Sequence, residues 1–483
     1  MHQLNWKYWL ASAVVIAGFS QTAIAQTDPG PRGGPAGAGA AIPGLTSNEA
    51  LFFAAGREAF EEEDGVLDGL GPRFNLDSCA GCHSQPAIGG SSPALNPQVG
   101  IAPPGQFRNV KAFISADGPV REVRFRSDNS VHDLFTIAGL PGTPASCNIA
   151  QPKFASRLNA GDAVFRIPTP VFGAGLIEAI KEATILANVS SSKPFGIKGH
   201  ENRNGNDGTV TRFGWKAQNK SVVIFAGEAY NVEQGISNEA FPDERGEAGS
   251  PDPDVCSVVP SPSDHTNFES RTPPTAIPSD VIGFANFMRF LAPPAPACKV
   301  GVNCSSSINR GSDLFTKVGC NVCHTRALPT GNHSTGALNG KTANLFSDLL
   351  VHDMGALGDG VTQGLAGPRE FRTAPLWGVG QRIFFLHDGR TKDLRVAIAA
   401  HAFDPNDNGG VRSADVAAPE LSAATAAAAD LAPGEAATAG RAAGGSDNGR
   451  SDGAKSEARE VIANFNRLKA GEKQDLLNFL RSL

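Results

Sequence analysis

Three things are scarce in this chain of 483 residues: surplus positive charge, long apolar runs and methionine. Lys and Arg number 42 against 48 Asp and Glu, a formal charge of −6, which offers no basic surface for nucleic acid and leaves a positively charged protein as the better-matched partner. The main apolar stretch, residues 9–19, is too short to span a bilayer, and nothing after it approaches the required length. Apart from the initial methionine only Met288 and Met354 are present, so a thioether metal ligand has two sources. No solenoid-type repeat is visible. The composition otherwise suits a globular protein of about two to three domains.

Against these absences stand two complete copies of Cys-x-x-Cys-His, Cys79-Ala80-Gly81-Cys82-His83 and Cys320-Asn321-Val322-Cys323-His324. That pentapeptide is an attachment site for c-type haem. Two thiols one helical turn apart can form thioethers with the haem vinyl groups while the adjacent imidazole reaches the iron. A redox or zinc Cys-x-x-Cys is the plainer reading, but a His directly after the second Cys in both copies argues against it. The expectation is two covalently bound haem c groups, attached through Cys79, Cys82, Cys320 and Cys323, with His83 and His324 as proximal iron ligands.

Lys7, the apolar stretch and Ala23-Ile24-Ala25 give residues 1–25 the pattern of a secretory signal peptide, so export is expected, to the periplasm in a Gram-negative source. Its removal takes Lys7 away and the charge from −6 to −7. Residues 26–46 are rich in Gly, Pro and Ala and read as a flexible leader. Thr46 and Glu49 fit a capping box opening a helix that runs to about residue 62. The expected organisation is an N-terminal haem domain over 47–291, a linker over 292–306 and a C-terminal cytochrome c domain over 307–483, with a low-complexity insertion near 414–453. The expected fold class is mainly α: two cytochrome c-like haem domains with long loops and a few short strands. Cys147, Cys256, Cys298 and Cys304 remain; the short gap between Cys298 and Cys304 suits a local loop, which leaves Cys147 with Cys256, although free buried thiols are the alternative.

Four runs carry a resemblance: Phe213-Gly214-Trp215-Lys216-Ala217, Phe346-Ser347-Asp348-Leu349-Leu350-Val351-His352-Asp353-Met354-Gly355, Glu370-Phe371-Arg372-Thr373-Ala374-Pro375-Leu376-Trp377-Gly378 and Phe385-Leu386-His387-Asp388-Gly389-Arg390. With them the chain resembles the di-haem oxidoreductase family, a peroxidase-like group sometimes labelled thiol oxidoreductases, and more distantly the bacterial di-haem cytochrome c peroxidases and MauG. In those relatives one haem receives electrons and the other meets hydrogen peroxide. The resemblance implies that the C-terminal haem is the electron-transfer group and the N-terminal one the peroxidatic candidate.

The relatives place the second axial ligand of the electron-transfer haem at the end of a helix after the aromatic-His-Asp-Gly turn. Here that helix is 392–400, the ligand position falls on His401, and Met354 is the alternative. A Trp followed by a Val-Glu-Met-Gly-like segment supplies their electron relay and proton shuttle. Trp215 and Val232-Glu233-Gln234-Gly235 match in order and spacing, which makes Glu233 the acid/base candidate, with Glu228 its neighbour, and Trp215 the relay. Taken alone, each is as readily a solvated carboxylate or a packed indole. No His occurs from Ser84 to Val131, so the N-terminal haem is open on its distal side or draws on His132, His200 or His265. His352 and His387 are implied to hydrogen-bond propionates or the ligand loop. Calcium occurs in some of these peroxidases; no run of oxygen ligands places it here, and it stays open.

The resulting expectation is a di-haem c-type cytochrome oxidoreductase that reduces hydrogen peroxide with electrons from a small cytochrome or cupredoxin donor. Alternatives are a di-haem electron carrier without a substrate, and a MauG-like oxidase of a partner protein or organic substrate.

Overall fold

The computed structural model describes residues 26–101, 110–147, 149–150, 154–190, 192–246, 256–267, 277–403 and 455–483. The expected signal peptide and the 414–453 insertion fall outside the described residues. Each Cys-x-x-Cys-His turn is preceded by a helix that crosses a later one at a glycine. Ser47–Glu61 opens with the capping box, Thr46 Oγ1 accepting from Glu49 N while Glu49 Oε2 accepts from Thr46 N. It packs on Asp280–Phe290, and a Cβ at Gly56 would lie 2.2 Å from Gly283 O, so the two backbones meet only because that atom is missing. Phe53 and Phe60 then close on Phe287, with ring centroids 5.4 and 4.8 Å away. The arrangement recurs in Ser306–Val318 and Ala470–Ser482, where a Cβ at Gly311 would lie 2.0 Å from Asp475 O and Phe315 meets Phe479 at 5.5 Å.

The expected mainly α class is met only in part. Helices make up 32% of the described residues and strands, isolated bridges included, 11%, so irregular backbone dominates and the fold is mixed. Among the described residues the strands form two-stranded antiparallel ladders, the longest pairing Glu122–Phe125 with Ala163–Arg166. Ladders this short do not build a sheet core; they brace loops that run along two cavities.

The largest apolar cluster joins Phe60, Phe172, Phe284 and Phe287 to Leu338, Leu345 and Trp377, so residues from either side of segment 292–306 share one core. A second cluster gathers Phe315, Phe465, Leu476 and Phe479 behind the second motif. A third, with Phe74, Phe135 and Phe154, lies beside the Cys147–Cys256 disulfide. Cys298 and Cys304 form the other disulfide, the pairing that the spacing favoured. No helix among the described residues is long and apolar enough to cross a membrane.

Candidate functional site

The first motif folds as a single helical turn, Cys79–Cys82, with His83 at its C-cap. The next loop closes on itself through Gln85 N to Ser91 O (3.0 Å) and Ser91 N to Gln85 O (2.8 Å), which holds Gly90 O where His83 Nδ1 donates to it at 2.9 Å. A carbonyl can only accept, so the proton sits on Nδ1 and the Nε2 lone pair is left over, the tautomer an iron ligand requires. Burial lowers the His83 pKa and keeps the ring neutral. Cys79, Cys82 and His83 line a cavity of about 140 Å³.

Glu233 lines the same cavity. It belongs to a wide helical turn, Tyr230–Gln234, whose end at Gly235 is left-handed (φ 74°). Its carbonyl accepts from Asn75 N (2.7 Å) and Leu76 N (3.3 Å), and its Oε2 accepts from Asn75 Nδ2 at 2.9 Å. Burial pushes the carboxyl pKa well above its ordinary value; Glu122 and Asp133 add to that, while Asn75 and Arg124 oppose it. Burial therefore favours the protonated form of Glu233. Glu228 does not line the cavity; its Oε2 accepts from Asn219 Nδ2.

The second motif, a tight turn over Cys320–Val322, opens on a cavity of about 220 Å³. His324 Nδ1 donates to Phe346 O at 3.0 Å, and His401 Nδ1 donates to Ala397 O at 2.8 Å at the end of helix Leu394–Ala400. Both rings again keep Nε2 free. Burial together with the neighbouring His401 lowers His324 to about 4, and burial lowers His401. Met354 lines the cavity too, packed near Leu357 and Ala400, so the structure brings together both candidates for the second axial ligand.

His352 has both nitrogens engaged, Nδ1 with Glu457 (2.7 Å) and Nε2 with Asp348 (3.1 Å). Burial opposes its charge, yet the hydrogen bonds it makes to Asp348, Cys323 and Glu457 outweigh that and raise its pKa well above the ordinary value. His387 lines the second cavity, stacks on Phe371 at 4.4 Å and is lowered to about 4 by burial. The three histidines that were candidates for the distal side of the N-terminal haem lie elsewhere. His132 stacks on Phe125 and pairs with Asp128, His200 pairs with Glu370, and His265 is exposed; none lines either cavity.

Trp215 lines both cavities. Its Nε1 donates to Ile167 O at 2.9 Å, and its ring meets Phe371 and His387 edge-on at 6.5 Å each.

Several features fit haem. The four motif thiols are outside any disulfide. Burial raises Cys79 and Cys82 and pushes Cys320 up to about 12, the opposite of an activated redox thiol. Buried guanidinium nitrogens lack partners at both walls: Nε of Arg121 at the first cavity, Nε and Nη2 of Arg382 at the second. An orphaned buried donor is costly, and the propionates of haem are anionic acceptors of the kind such donors need. No sequence pattern flagged Arg121 or Arg382, because their role depends on which loops come together.

The family model described as "Di-haem oxidoreductase, putative peroxidase" matches residues 143–408, more than half of the chain. The match includes Trp215, Glu233, the second motif and His401; the first motif precedes it. Among solved structures, hydrazine synthase from Kuenenia stuttgartiensis is 16% identical with a TM-score of 0.20, over 44% of this chain and 55% of that one. The chain thus spans little more than half of that neighbour. A MauG-like protein associated with microbial copper homeostasis is 15% identical with a TM-score of 0.26, over 63% of this chain and 89% of that one. No curated protein matches the sequence.

Proposed function

The chain belongs to the di-haem oxidoreductase family, and from that premise we propose that it reduces hydrogen peroxide at the first cavity with electrons that enter at the second. Cys79 and Cys82 would attach one haem, with His83 as an iron ligand, and Cys320 and Cys323 the other, with His324 and His401 as iron ligands and Met354 as the rival to His401. Haem iron supplies one-electron redox chemistry and, at the first cavity, a coordination position for peroxide. The remaining work belongs to side chains.

The observation that carries the reading is Glu233, a buried carboxyl group in the wall of the cavity that holds His83, whose protonated form burial favours. Asn75 Nδ2 donates to Oε2, so Oε2 is the carbonyl-like oxygen and the proton sits on Oε1. Reducing H₂O₂ to two waters consumes two electrons and two protons, and a carboxyl group at the site can give a proton to the departing oxygen and take one back. Arg121 and Arg382 would anchor the propionates. Trp215, in the wall common to both cavities, would carry electrons between them. The signal-peptide pattern of residues 1–25 supports a periplasmic setting, and the net negative charge suits a basic donor of small-cytochrome or cupredoxin type.

The test is direct. Holoprotein reduced by one electron is expected to consume peroxide stoichiometrically and then catalytically with a small cytochrome donor. Reduced holoprotein that leaves peroxide untouched overturns the reading in favour of an electron carrier.

A further inference from the structure

A buried ionic cluster lies beside the wall shared by the two cavities, and the proposed reaction does not use it. Lys216 directly follows Trp215 and is fully buried. Its Nζ donates to Gly367 O (2.9 Å) and Glu370 O (2.7 Å) and pairs with Asp359 Oδ1 at 3.2 Å. Asp359 Oδ2 accepts Nε and Nη2 of Arg166, at 2.9 and 2.6 Å, and Arg166 lines the first cavity. In the other direction Lys216 Nζ lies 4.5 Å from the centre of the Phe371 ring. That ring lines the second cavity, stacks on His387 and meets Trp215 edge-on. A chain of charge, Arg166–Asp359–Lys216, therefore runs from the first cavity to the aromatic group that flanks the second.

Three charges buried together are a poor way to fill space, since an apolar side chain of Lys length would pack there without desolvating an ammonium. Burial draws Lys216 down to about 8, with Asp359 holding it up against Arg166, and it stays charged at neutral pH. Asp359 is drawn to about 2 by its two cations against burial, and stays anionic. Buried as they are, these charges are weakly screened and act at a distance.

We infer that Lys216 and Asp359 are charge-setting positioning residues of opposite sign, which tune how readily the haem of the second cavity accepts an electron and how firmly Trp215 keeps its own. The inference rests on the reading that both cavities hold haem, but not on peroxide as the substrate. The step being tuned is the passage of one electron, lost at the second cavity and gained at the first, with no bond made or broken at Lys216, Asp359 or Trp215. The ammonium favours the reduced state of its neighbour; the carboxylate opposes it.

Spectroelectrochemical titration of the holoprotein at acidic pH, which keeps Lys216 charged when Asp359 no longer supports it, tests this with Lys216→Met, Lys216→Arg and Asp359→Asn. The second-cavity haem is expected to shift to a lower midpoint potential in Lys216→Met and to a higher one in Asp359→Asn, while Lys216→Arg titrates as wild type. Loss of packing alone would not give shifts of opposite sign. Shifts of the same sign, or no shift in any variant, overturn the inference. If Asp359→Asn does not take up haem, the Lys pair decides: a fall in Lys216→Met absent from Lys216→Arg supports it, and equal behaviour overturns it. Peroxide consumption by the same wild-type sample separates the two proposals, because opposed shifts without peroxide consumption defeat the proposed reaction and leave this inference standing.

Discussion

Burial holds a carboxyl group toward its protonated form unless a cation beside it outweighs that burial, and Glu233 is in that position. Glu233→Gln preserves the shape and can keep the bond from Asn75, but has no proton to give. Peroxide turnover is expected to fall by about 10²- to 10⁴-fold while haem content is unchanged, and an unaltered steady-state rate would remove Glu233 from the mechanism. Asp64 is a second carboxyl of this kind behind the first motif. Burial first, then Asp280 and Glu62, push it up to about 8; Gln234 Nε2 donates to it at 2.5 Å and Tyr230 Oη at 3.4 Å. Its folded pKa exceeds the ordinary 3.8, so between these values the folded state holds a proton that the unfolded chain has released. The associated stability is complete below the lower value and lost as pH rises through the upper one. Asp64→Asn keeps a neutral group in place without that linkage. The melting temperature of the variant is expected to decline less steeply than wild type between about pH 5 and pH 8, and parallel curves would show that Asp64 is not the source.

At the scale of elements, the helix crossings set how closely each motif is backed. Gly311 is an ordinary helical glycine except that its missing Cβ would collide with Asp475 O. Gly311→Ala raises helix propensity and should still destabilise, by about 1–3 kcal/mol, because two backbones would have to separate. Gly471→Ala in the facing helix, with nothing within 4 Å, is the control and should be neutral or slightly stabilising in the same denaturant titration. The helix Leu394–Ala400 carries the other element-scale test, since its end aims His401 into the second cavity. His401→Ala is expected to turn one low-spin haem high-spin, while Met354→Leu leaves the ligand field alone; the reverse pattern would assign the ligand to Met354. The elements were legible where local rules govern them: the Thr46–Glu49 capping box opens the helix Ser47–Glu61, and the helix expected over 392–400 is found at Leu394–Ala400 with His401 at its end. Arg166 with Asp359, 193 positions apart, was not legible, nor were the unpaired nitrogens of Arg382. Such contacts arise from loop placement and leave no periodic trace. The strand content was underestimated for the same reason, because two-residue ladders are too short to alternate.

At the scale of the molecule, the two motifs serve separate cavities and are backed by different apolar clusters, but the halves of the chain that carry them share the largest one. The largest apolar cluster takes residues from both sides of segment 292–306, and Trp215 belongs to both cavity walls. Filling one cavity should therefore stabilise the other half, since a group that binds only the folded state lowers its free energy as a whole. Intact-mass spectrometry of exported protein is expected to show two haem additions that survive acid-acetone extraction; one addition, or extractable haem, would defeat covalent attachment at both motifs. Replacing Cys79 and Cys82 together by Ser should remove one addition and leave the absorption of the second-cavity haem in place. Because the core is shared, that variant should also melt at a lower temperature in a single transition, followed both at the remaining haem and by far-ultraviolet circular dichroism. Two separated transitions, with the second-cavity haem melting as in wild type, would instead mean that the halves fold independently and that the shared cluster contributes little to their coupling.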